Sequence, residues 1–371
     1  MFGRGLTIFR FRGIPIQLDW TLLLFLPYAA FIGAYQFRRI AESLDLSPAA
    51  IGLPPIAWGA ILAVGLFVSV LLHELAHAIV TIRGGGHVKA IVLMMFGGVT
   101  LMDREVRPER EAWMAFVGPL SSFVIAAVSW AVAAFVPLPP GAMAALLVFA
   151  AMNALLGAFN LLPAFPMDGG RVLRGILATR IGTVRATRIA ATVGQAMAVA
   201  FAIFALLSFN FILLFIAWFV WSGAAMEKTR LETRDVLQGI PVELFMTDRL
   251  GEAQFDEPSG EVARRLLQNN LVGVRVMDRS ETEGGSRRTL GIVTAWDLAD
   301  QIAEGPVREA LRGDLPTVHS EDDAATALEA AGSGERGVVV VDQANEVRGL
   351  VTFDDLKRAV LLGAIAARGT R

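Results

Sequence analysis

A histidine pair inside a long apolar run constrains this chain more than any other feature. His73 and His77 lie four residues apart, and Glu74 directly follows the first of them. Positions four apart share one face of a helix, so both imidazoles can bind one Zn²⁺, with the glutamate close enough to act on a water at the metal.

Between residues 56 and 82, His73, Glu74 and His77 are the only ionisable residues. Such a run can cross a bilayer, which takes about 20 residues, and ionisable groups inside a span indicate function. The alternative, a soluble buried helix with a satisfied histidine pair, is disfavoured by the other apolar runs.

The composition divides the chain into two parts. Of its 371 residues 18% are charged, against about 25% in a typical soluble protein, and the deficit lies before Glu227. We therefore predict a membrane domain over 1–227, a linker over 228–240, and two soluble domains over 241–303 and 304–371. The net charge of −2 argues against a nucleic-acid partner. The chain has no cysteine, so a third metal ligand must be His, Asp, Glu or water.

Six apolar runs predict a polytopic α-helical membrane domain with six transmembrane helices. The runs cover about 18–35, 56–82, 112–136, 143–162, 189–207 and 211–226. Residues 88–102 are β-prone and broken by Gly97-Gly98, and they are too short to span. We expect a hairpin or re-entrant element near the histidines, the alternative being an interfacial loop.

The distribution of Lys and Arg predicts the orientation of the spans. The loops on the side of the N-terminus hold thirteen Lys and Arg residues, whereas those on the other side hold only Arg38 and Arg39. The rule predicts a multi-pass protein of the cell inner membrane, with both termini and the soluble domains in the cytoplasm.

Several residues are candidates for the third ligand: His87, Asp168 and a number of loop acids. His87 follows three glycines, and nothing in the sequence holds it in place. Asp168 lies at the broken end of the fourth run, at a depth close to that of His77, between Pro166 and Gly169-Gly170. A carboxylate on irregular backbone at that depth is tolerated where it lines a cavity. The alternative is that Asp168 caps the helix that follows.

Together these motifs resemble the site-2 protease family of intramembrane zinc metalloproteases. The resemblance covers about residues 10–227 and rests on the His-Glu-Leu-Ala-His helix, Gly97-Gly98, Gly118-Pro119 and the stretch from Asn160 to Arg171. Met167 stands where the family usually has leucine. The resemblance implies one Zn²⁺ per chain, held by His73, His77 and Asp168. It also implies that Glu74 is the general base and that Asn160 binds substrate or steadies the oxyanion.

The function implied is hydrolysis of a peptide bond in or near a transmembrane segment of a membrane-tethered protein, such as an anti-sigma factor or a transcription factor precursor. The substrate would have to unwind, and the segment 88–102 could pair with it as an added strand. The alternative is a membrane metal transporter or channel, in which the two histidines and Glu74 line a metal path. A transporter should carry further ionisable residues in its other spans. An inactive scaffold is a third reading, against which the intact motif argues.

The soluble part repeats itself. The pattern Gly-apolar-Val-Thr-x-x-Asp-Leu begins at Gly291 and again at Gly349, each time after an earlier strand-like run. Such alternation predicts a small α/β module, and the repeat resembles a tandem pair of CBS domains. The resemblance implies that ATP or AMP contacts Thr294 and Asp297 in one repeat and Thr352 and Asp355 in the other, and that the pair can form a homodimer. The alternative is that each Thr ends a strand and each Asp caps a helix, with no ligand.

Overall fold

Apolar runs in the N-terminal part form long helices in the computed structural model, which describes residues 6–95, 97–102, 108–281, 287–299, 305–311, 315–332 and 337–369. The chain divides into two units, Met1–Thr229 and Arg230–Arg371. The helices of the first part are α1 Trp20–Ser43, α2 Pro48–Ile51, α3 Pro55–Arg83, α4 Pro108–Phe135, α5 Pro140–Asn160, α6 Asp168–Ile181, α7 Thr183–Leu207 and α8 Phe211–Leu237. Among the described residues, α1, α3, α4, α5, α7 and α8 are long and apolar enough to cross a membrane, which agrees with the six predicted spans.

Local signals set several helix ends. The Asp19 side chain accepts a hydrogen bond from the backbone N–H of Thr21 and caps α1. Prolines begin α3 and α5, where a missing N–H costs nothing. Several helices differ from the prediction. α8 continues to Leu237, past the predicted end near residue 226 and through most of the predicted linker over 228–240. α1 continues to Ser43, past the predicted end near residue 35, and its last turns carry an Arg38–Glu42 pair four residues apart.

A further difference is α6, a 14-residue helix that is too short to span. It occupies most of the basic segment that sequence reasoning left between the fourth and fifth runs, and Asp168 is its first residue. α7 follows after Gly182 alone, so the fifth span begins at Thr183 rather than near 189. The helix that the capping alternative required is therefore present, although the Asp168 carboxylate is engaged elsewhere.

A four-stranded sheet packs against the histidine-bearing helix. Its strands are β1 Leu6–Phe11, β2 Ile14–Leu18, β3 Val88–Met94 and β4 Gly97–Met102, in that order across the sheet. The hairpin expected over 88–102 is confirmed, with β3 antiparallel to β4. The sheet is larger than the predicted β element because the N-terminal hairpin joins β3 in parallel. Buried Ile16 and Ile91 pack with Val70 and Ala78 of α3, which places the sheet beside the histidines.

The second unit contains two α/β repeats of the same topology. The first holds β5 Leu250–Gln254, α9 Ser259–Gln268, β6 Gly273–Glu281, β7 Arg287–Thr294 and α10 Ala295–Ala299, and the second holds β8 Thr317–His319, α11 Ala324–Ala331, β9 Val338–Val341, β10 Val347–Val351 and α12 Phe353–Gly369. In each repeat the first strand is parallel to the middle one, and the middle one is antiparallel to the last. The predicted repeat is thus confirmed as a repeat of structure.

Each repeat also takes a short segment from the chain before the other. Val242 and Phe245, which precede the first repeat, lie in the core of the second. Val307 and Ala310, which precede the second, lie in the core of the first. Both segments contain a short 3₁₀ helix. The sequence bounds 241–303 and 304–371 stay a prediction, but the packing crosses them.

Candidate metal centre

Two buried imidazoles and one carboxylate converge beside α3. His73 and His77 are 4% and 3% exposed. Their Nε2 atoms lie 3.0 and 3.1 Å from the same oxygen, Oδ2 of Asp168. Among the described residues, these three form the group of His, Asp and Glu side chains whose ligand atoms all lie within 4.8 Å of one another. Helical spacing brings the two histidines together, whereas Asp168 comes from 91 residues beyond His77.

The outer nitrogens of both rings contact α4. Nδ1 of His77 lies 2.7 Å from the carbonyl oxygen of Met114, which can only accept, so this nitrogen carries the proton. Nδ1 of His73 lies 3.0 Å from the Ser122 hydroxyl, whose oxygen can accept a hydrogen bond in the same way. Each Nε2 then turns an unprotonated lone pair toward Asp168. Such outer contacts commonly fix the tautomer and ring orientation of metal-binding histidines.

Asp168 is held in position by a buried loop. Ala164, Phe165 and Met167 are each at most 4% exposed. Ala164 and Met167 pack with α7 and with Val220 of α8, and Phe165 packs with a neighbouring cluster on the same two helices. The loop enters the bundle because its apolar side chains are buried there. Asp168 follows directly, at the N-terminus of α6.

Gly118 allows α4 to approach the ring nitrogens. A Cβ at this position would overlap Nε2 of both His77 and His73. Only glycine leaves that space open, and the following Pro119 lies within α4. A side chain at position 118 would therefore occupy the space beside the two ring nitrogens.

The donor set fits a zinc ion. Histidine nitrogen and carboxylate oxygen are standard zinc ligands at about 2.0–2.2 Å, and ligand atoms of a tetrahedral site then lie about 3.3 Å apart. The observed separations of 3.0 and 3.1 Å are close to that value. Two ring lone pairs and a carboxylate oxygen repel one another unless a cation lies between them. Three protein donors leave a position open for water or substrate, as in catalytic zinc sites.

Glu74 lies on the side of α3 that faces the sheet. It is 8% exposed, and its Oε2 accepts a hydrogen bond of 2.7 Å from the Thr100 hydroxyl of β4. A Cβ at Gly98 would overlap the Glu74 side chain, so this strand backbone lies directly against the carboxylate. One helix thus presents two imidazoles to α4 and α6 and an adjacent carboxylate to β4.

The other residues singled out from the sequence are not among the three converging ligands. Asn160 is the last residue of α5, and its amide donates to the Leu156 carbonyl one turn earlier; its role stays a prediction. His87 and His319 are exposed and outside the group of converging ligands.

The two Thr–Asp pairs of the soluble unit have the same geometry. Thr294 and Thr352 each donate a backbone and a hydroxyl hydrogen bond to Oδ2 of the Asp three residues later, with hydroxyl distances of 2.6 Å. Asp297 and Asp355 are buried. This is the reciprocal cap at the start of a helix that the alternative without a ligand describes. The predicted nucleotide contacts remain untested by it.

Sequence reasoning missed three groups that complete the site. They are the Ser122 hydroxyl, the Met114 carbonyl and the Thr100 hydroxyl. Ser122 lies four residues after Gly118 on the same face of α4, so a polar residue in register with that glycine was a usable signal. The Met114 carbonyl carries no sequence signal, because every residue has one.

Comparison with known proteins gives two family matches. The model of peptidase family M50 matches residues 61–140 and 138–201, which include all three candidate ligands. The CBS domain model matches residues 307–362. The three candidate ligands and most of the second repeat therefore lie in matched regions.

Relatives extend the similarity over nearly the whole chain. Zinc metalloprotease MJ0392 of Methanocaldococcus jannaschii is 33% identical over 96% of each chain. The putative zinc metalloprotease Rip3 of Mycobacterium tuberculosis is 32% identical over 95% of this chain and 91% of its own. A solved structure of a site-2 protease from Methanocaldococcus jannaschii is 35% identical, covers 60% of this chain and 95% of its own, and has a TM-score of 0.43.

Proposed function

The chain belongs to peptidase family M50, the site-2 protease family of membrane zinc metalloproteases, and on this basis we propose that it hydrolyses a peptide bond in or near a transmembrane segment of a membrane-tethered protein. The observation that carries the proposal is that the ligand atoms of His73, His77 and Asp168 converge on one point, next to Gly118. Of the three readings considered from the sequence, a protease, a transporter or channel, and an inactive scaffold, the family favours the protease.

In this proposal the three converging residues hold one zinc ion per chain. A bound zinc ion supplies Lewis-acid polarisation of the scissile carbonyl and acidifies water in the site. The Ser122 hydroxyl and the Met114 carbonyl keep the two ring lone pairs turned inward. The negative charge of the Asp168 carboxylate would partly neutralise the zinc ion, which lowers the desolvation free energy of burying the ion.

Glu74 serves as the general base. Its carboxylate takes a proton from the attacking water and passes it to the nitrogen of the departing amine. The hydrogen bond from Thr100 restrains one carboxylate oxygen and keeps the group beside β4. Asn160 is proposed to bind the substrate or to steady the developing oxyanion, as the family resemblance implies.

The assignment is tested by measuring both the zinc content and the cleavage activity of the wild type and of four variants. We expect wild-type protein to carry one zinc per chain, and His73→Ala, His77→Ala and Asp168→Asn to lose it. Glu74→Gln should keep zinc and lose cleavage by about 10²-fold or more, because it removes proton transfer alone. Zinc retention by Asp168→Asn, or wild-type cleavage by Glu74→Gln, would refute the assignment.

The substrate is proposed to bind as an added strand at β4. β4 is an edge strand of the sheet, whereas β3 is paired on both sides. The pairing surface is therefore residues 97–102 rather than the 88–96 part of the predicted segment. An unwound substrate along this edge would lie beside Gly98 and Thr100, which both contact Glu74.

Single-cysteine crosslinking tests the edge, because the chain has no cysteine of its own. In the Glu74→Gln background, Val99→Cys should form a disulfide with one cysteine in the cleaved segment of a membrane-tethered reporter substrate. Ile8→Cys on the opposite edge is the matched control, since Val99 and Ile8 are both exposed. Equal crosslinking at both positions would contradict the proposal.

Two further proposals concern regulation by the soluble unit. ATP or AMP bound at Thr294, Asp297, Thr352 and Asp355 is proposed to modulate cleavage, and the CBS pair to support a homodimer. The regulated substrate class proposed is an anti-sigma factor or a transcription factor precursor. Cleavage rates measured with and without saturating ATP or AMP test the first point, and equal rates would remove its basis.

A further inference from the structure

A buried charge network lies beside the loop that carries Asp168. The Arg174 guanidinium on α6 pairs through Nη2 and Nε with Oε1 of Glu111, at the start of α4, the Nε distance being 2.9 Å. Its Nη1 pairs with Oε1 of Glu227, near the end of the first unit on α8. Only 13% of the Arg174 side chain and 8% of that of Glu111 are exposed. One side chain thus ties α6 to two spanning helices.

The network has a second cation and an aromatic contact. Nε of Arg171 lies 4.0 Å from the same Glu111 oxygen, which brings two arginines against two carboxylates. The Arg174 guanidinium also lies over the Phe165 ring, 5.3 Å from its centroid. Phe165 is buried in the loop just before Asp168, with Ala190 of α7 and Ala224 of α8.

These contacts hold the chain on both sides of Asp168. Phe165 lies three residues before the ligand and Arg174 six residues after it, and the two touch each other. The planar guanidinium fork forms directional pairs that a single ammonium cannot reproduce. Burying a charge network of this kind costs desolvation free energy, but its directional pairs fix the relative orientation of the helices that it joins. The orientation it sets here is that of the first turn of α6.

We propose that Arg174 is a positioning residue for the metal centre: by joining Glu111, Glu227 and Phe165 it sets the place of the Asp168 carboxylate relative to the two imidazoles. The proposal rests on the assignment of zinc to His73, His77 and Asp168, and it predicts that metal retention depends on a charge cluster outside the ligand set.

The test measures zinc release from full-length protein in detergent, folded and loaded with zinc, after addition of a chelator. We expect Arg174→Gln to release zinc about 10- to 100-fold faster than wild type, the range typical of residues that orient metal ligands. Arg174→Lys should lie between them, since it keeps the charge and loses the fork. Arg180→Gln is the matched control on the same helix, and because its side chain is exposed it should release zinc at the wild-type rate.

A second variant separates positioning from folding. The triple change Arg174→Met, Glu111→Leu and Glu227→Gln removes the buried charges together, and Arg171, whose side chain is 30% exposed, keeps access to water. The variant should therefore fold even where Arg174→Gln does not. We expect it to bind Co²⁺ with an altered visible spectrum and to release zinc faster than wild type. A wild-type spectrum and wild-type release from the folded triple variant would overturn the proposal. Asp168→Asn serves as the reference: if it retains zinc, the ligand assignment fails instead.

Discussion

At the residue scale, the site depends on groups that orient the motif side chains by hydrogen bonds and are not themselves candidate metal ligands. The two histidines of α3 have their outer nitrogens held by α4, through the Ser122 hydroxyl and the Met114 carbonyl. The Thr100 hydroxyl does the same for Glu74 from the sheet. Each contact removes a rotation that a buried side chain would otherwise keep. The chemistry of the motif residues therefore depends on neighbours in two other elements, α4 and β4.

Loss of one such neighbour should weaken the metal centre without removing a ligand. In Ser122→Ala the His73 ring loses its outer partner, so we expect zinc affinity to fall about 10- to 100-fold. Equilibrium competition with a zinc indicator measures this. Ser129→Ala, a buried serine two turns further along α4, is the control and should bind zinc as wild type does. Equal affinities in the two variants would show that Ser122 does not orient His73.

Asn160 offers a test of oxyanion stabilisation. If its amide assists at the developing negative charge, Asn160→Leu should lower kcat about 10²- to 10³-fold, since such a donor acts mainly in the transition state. Zinc content should not change, because Asn160 bonds to its own helix rather than to the ligand group. A raised KM with an unchanged kcat would assign the residue to substrate binding, and no change in either would exclude both roles.

At the element scale, α3 works because different elements cover its two functional faces. α4 and the start of α6 cover the imidazoles, and β4 covers Glu74. Both close approaches occur at glycines, Gly118 in the helix and Gly98 in the strand. The pairing order places β4 at one edge of the sheet, so among the described strands the one next to the proposed base is an edge strand.

Moving β4 should therefore impair catalysis but not metal binding. In Gly98→Ala the added methyl overlaps the Glu74 side chain, so either the strand or the carboxylate must shift. We expect cleavage to fall up to about 10²-fold, the cost of misplacing a catalytic group by about 1 Å, with zinc content retained. Gly305→Ala, in the soluble unit, is the control for the added methyl, because a Cβ there meets only the flexible end of the Glu309 side chain. Zinc loss in Gly98→Ala would show instead that the strand supports the ligands.

At the scale of the whole molecule, a membrane protease unit is joined to a CBS pair through α8. That helix begins at Phe211 in the first unit and ends at Leu237, a buried residue of the soluble core. Glu227, which pairs with Arg174, lies two residues before the division between the units. The loops that flank the proposed spans carry the charge asymmetry from which a cytoplasmic CBS pair was predicted.

Cysteine labelling tests that orientation in a chain without cysteine. Ser47→Cys, between α1 and α2, should react with a membrane-impermeant maleimide added to intact cells or spheroplasts. Gln343→Cys, exposed in the soluble unit, should react only after lysis. Both positions lie in exposed turns, so the difference reports sidedness rather than burial. The reverse pattern would place the CBS pair outside the cytoplasm.

Much of this organisation can be predicted from local sequence patterns. The histidine pair and Glu74 share a helix, so their spacing alone brings them together. The spans follow from the length of apolar runs, and the soluble repeat from its recurring pattern. Gly97-Gly98 indicated the hairpin of β3 and β4. These features are encoded over a few to about 20 neighbouring residues, and local patterns suffice to recognise them.

The tertiary structure decided the features that depend on distant segments. It brought Asp168 to rings 95 and 91 residues away, selected Ser122 and Thr100 as orienting partners, and joined the N-terminal hairpin to β3. It also exchanged short segments between the soluble repeats. The physical reason is that burial and ligand geometry depend on how remote elements pack. The spacing of residues within one element determines which groups are available, and packing determines which of them meet.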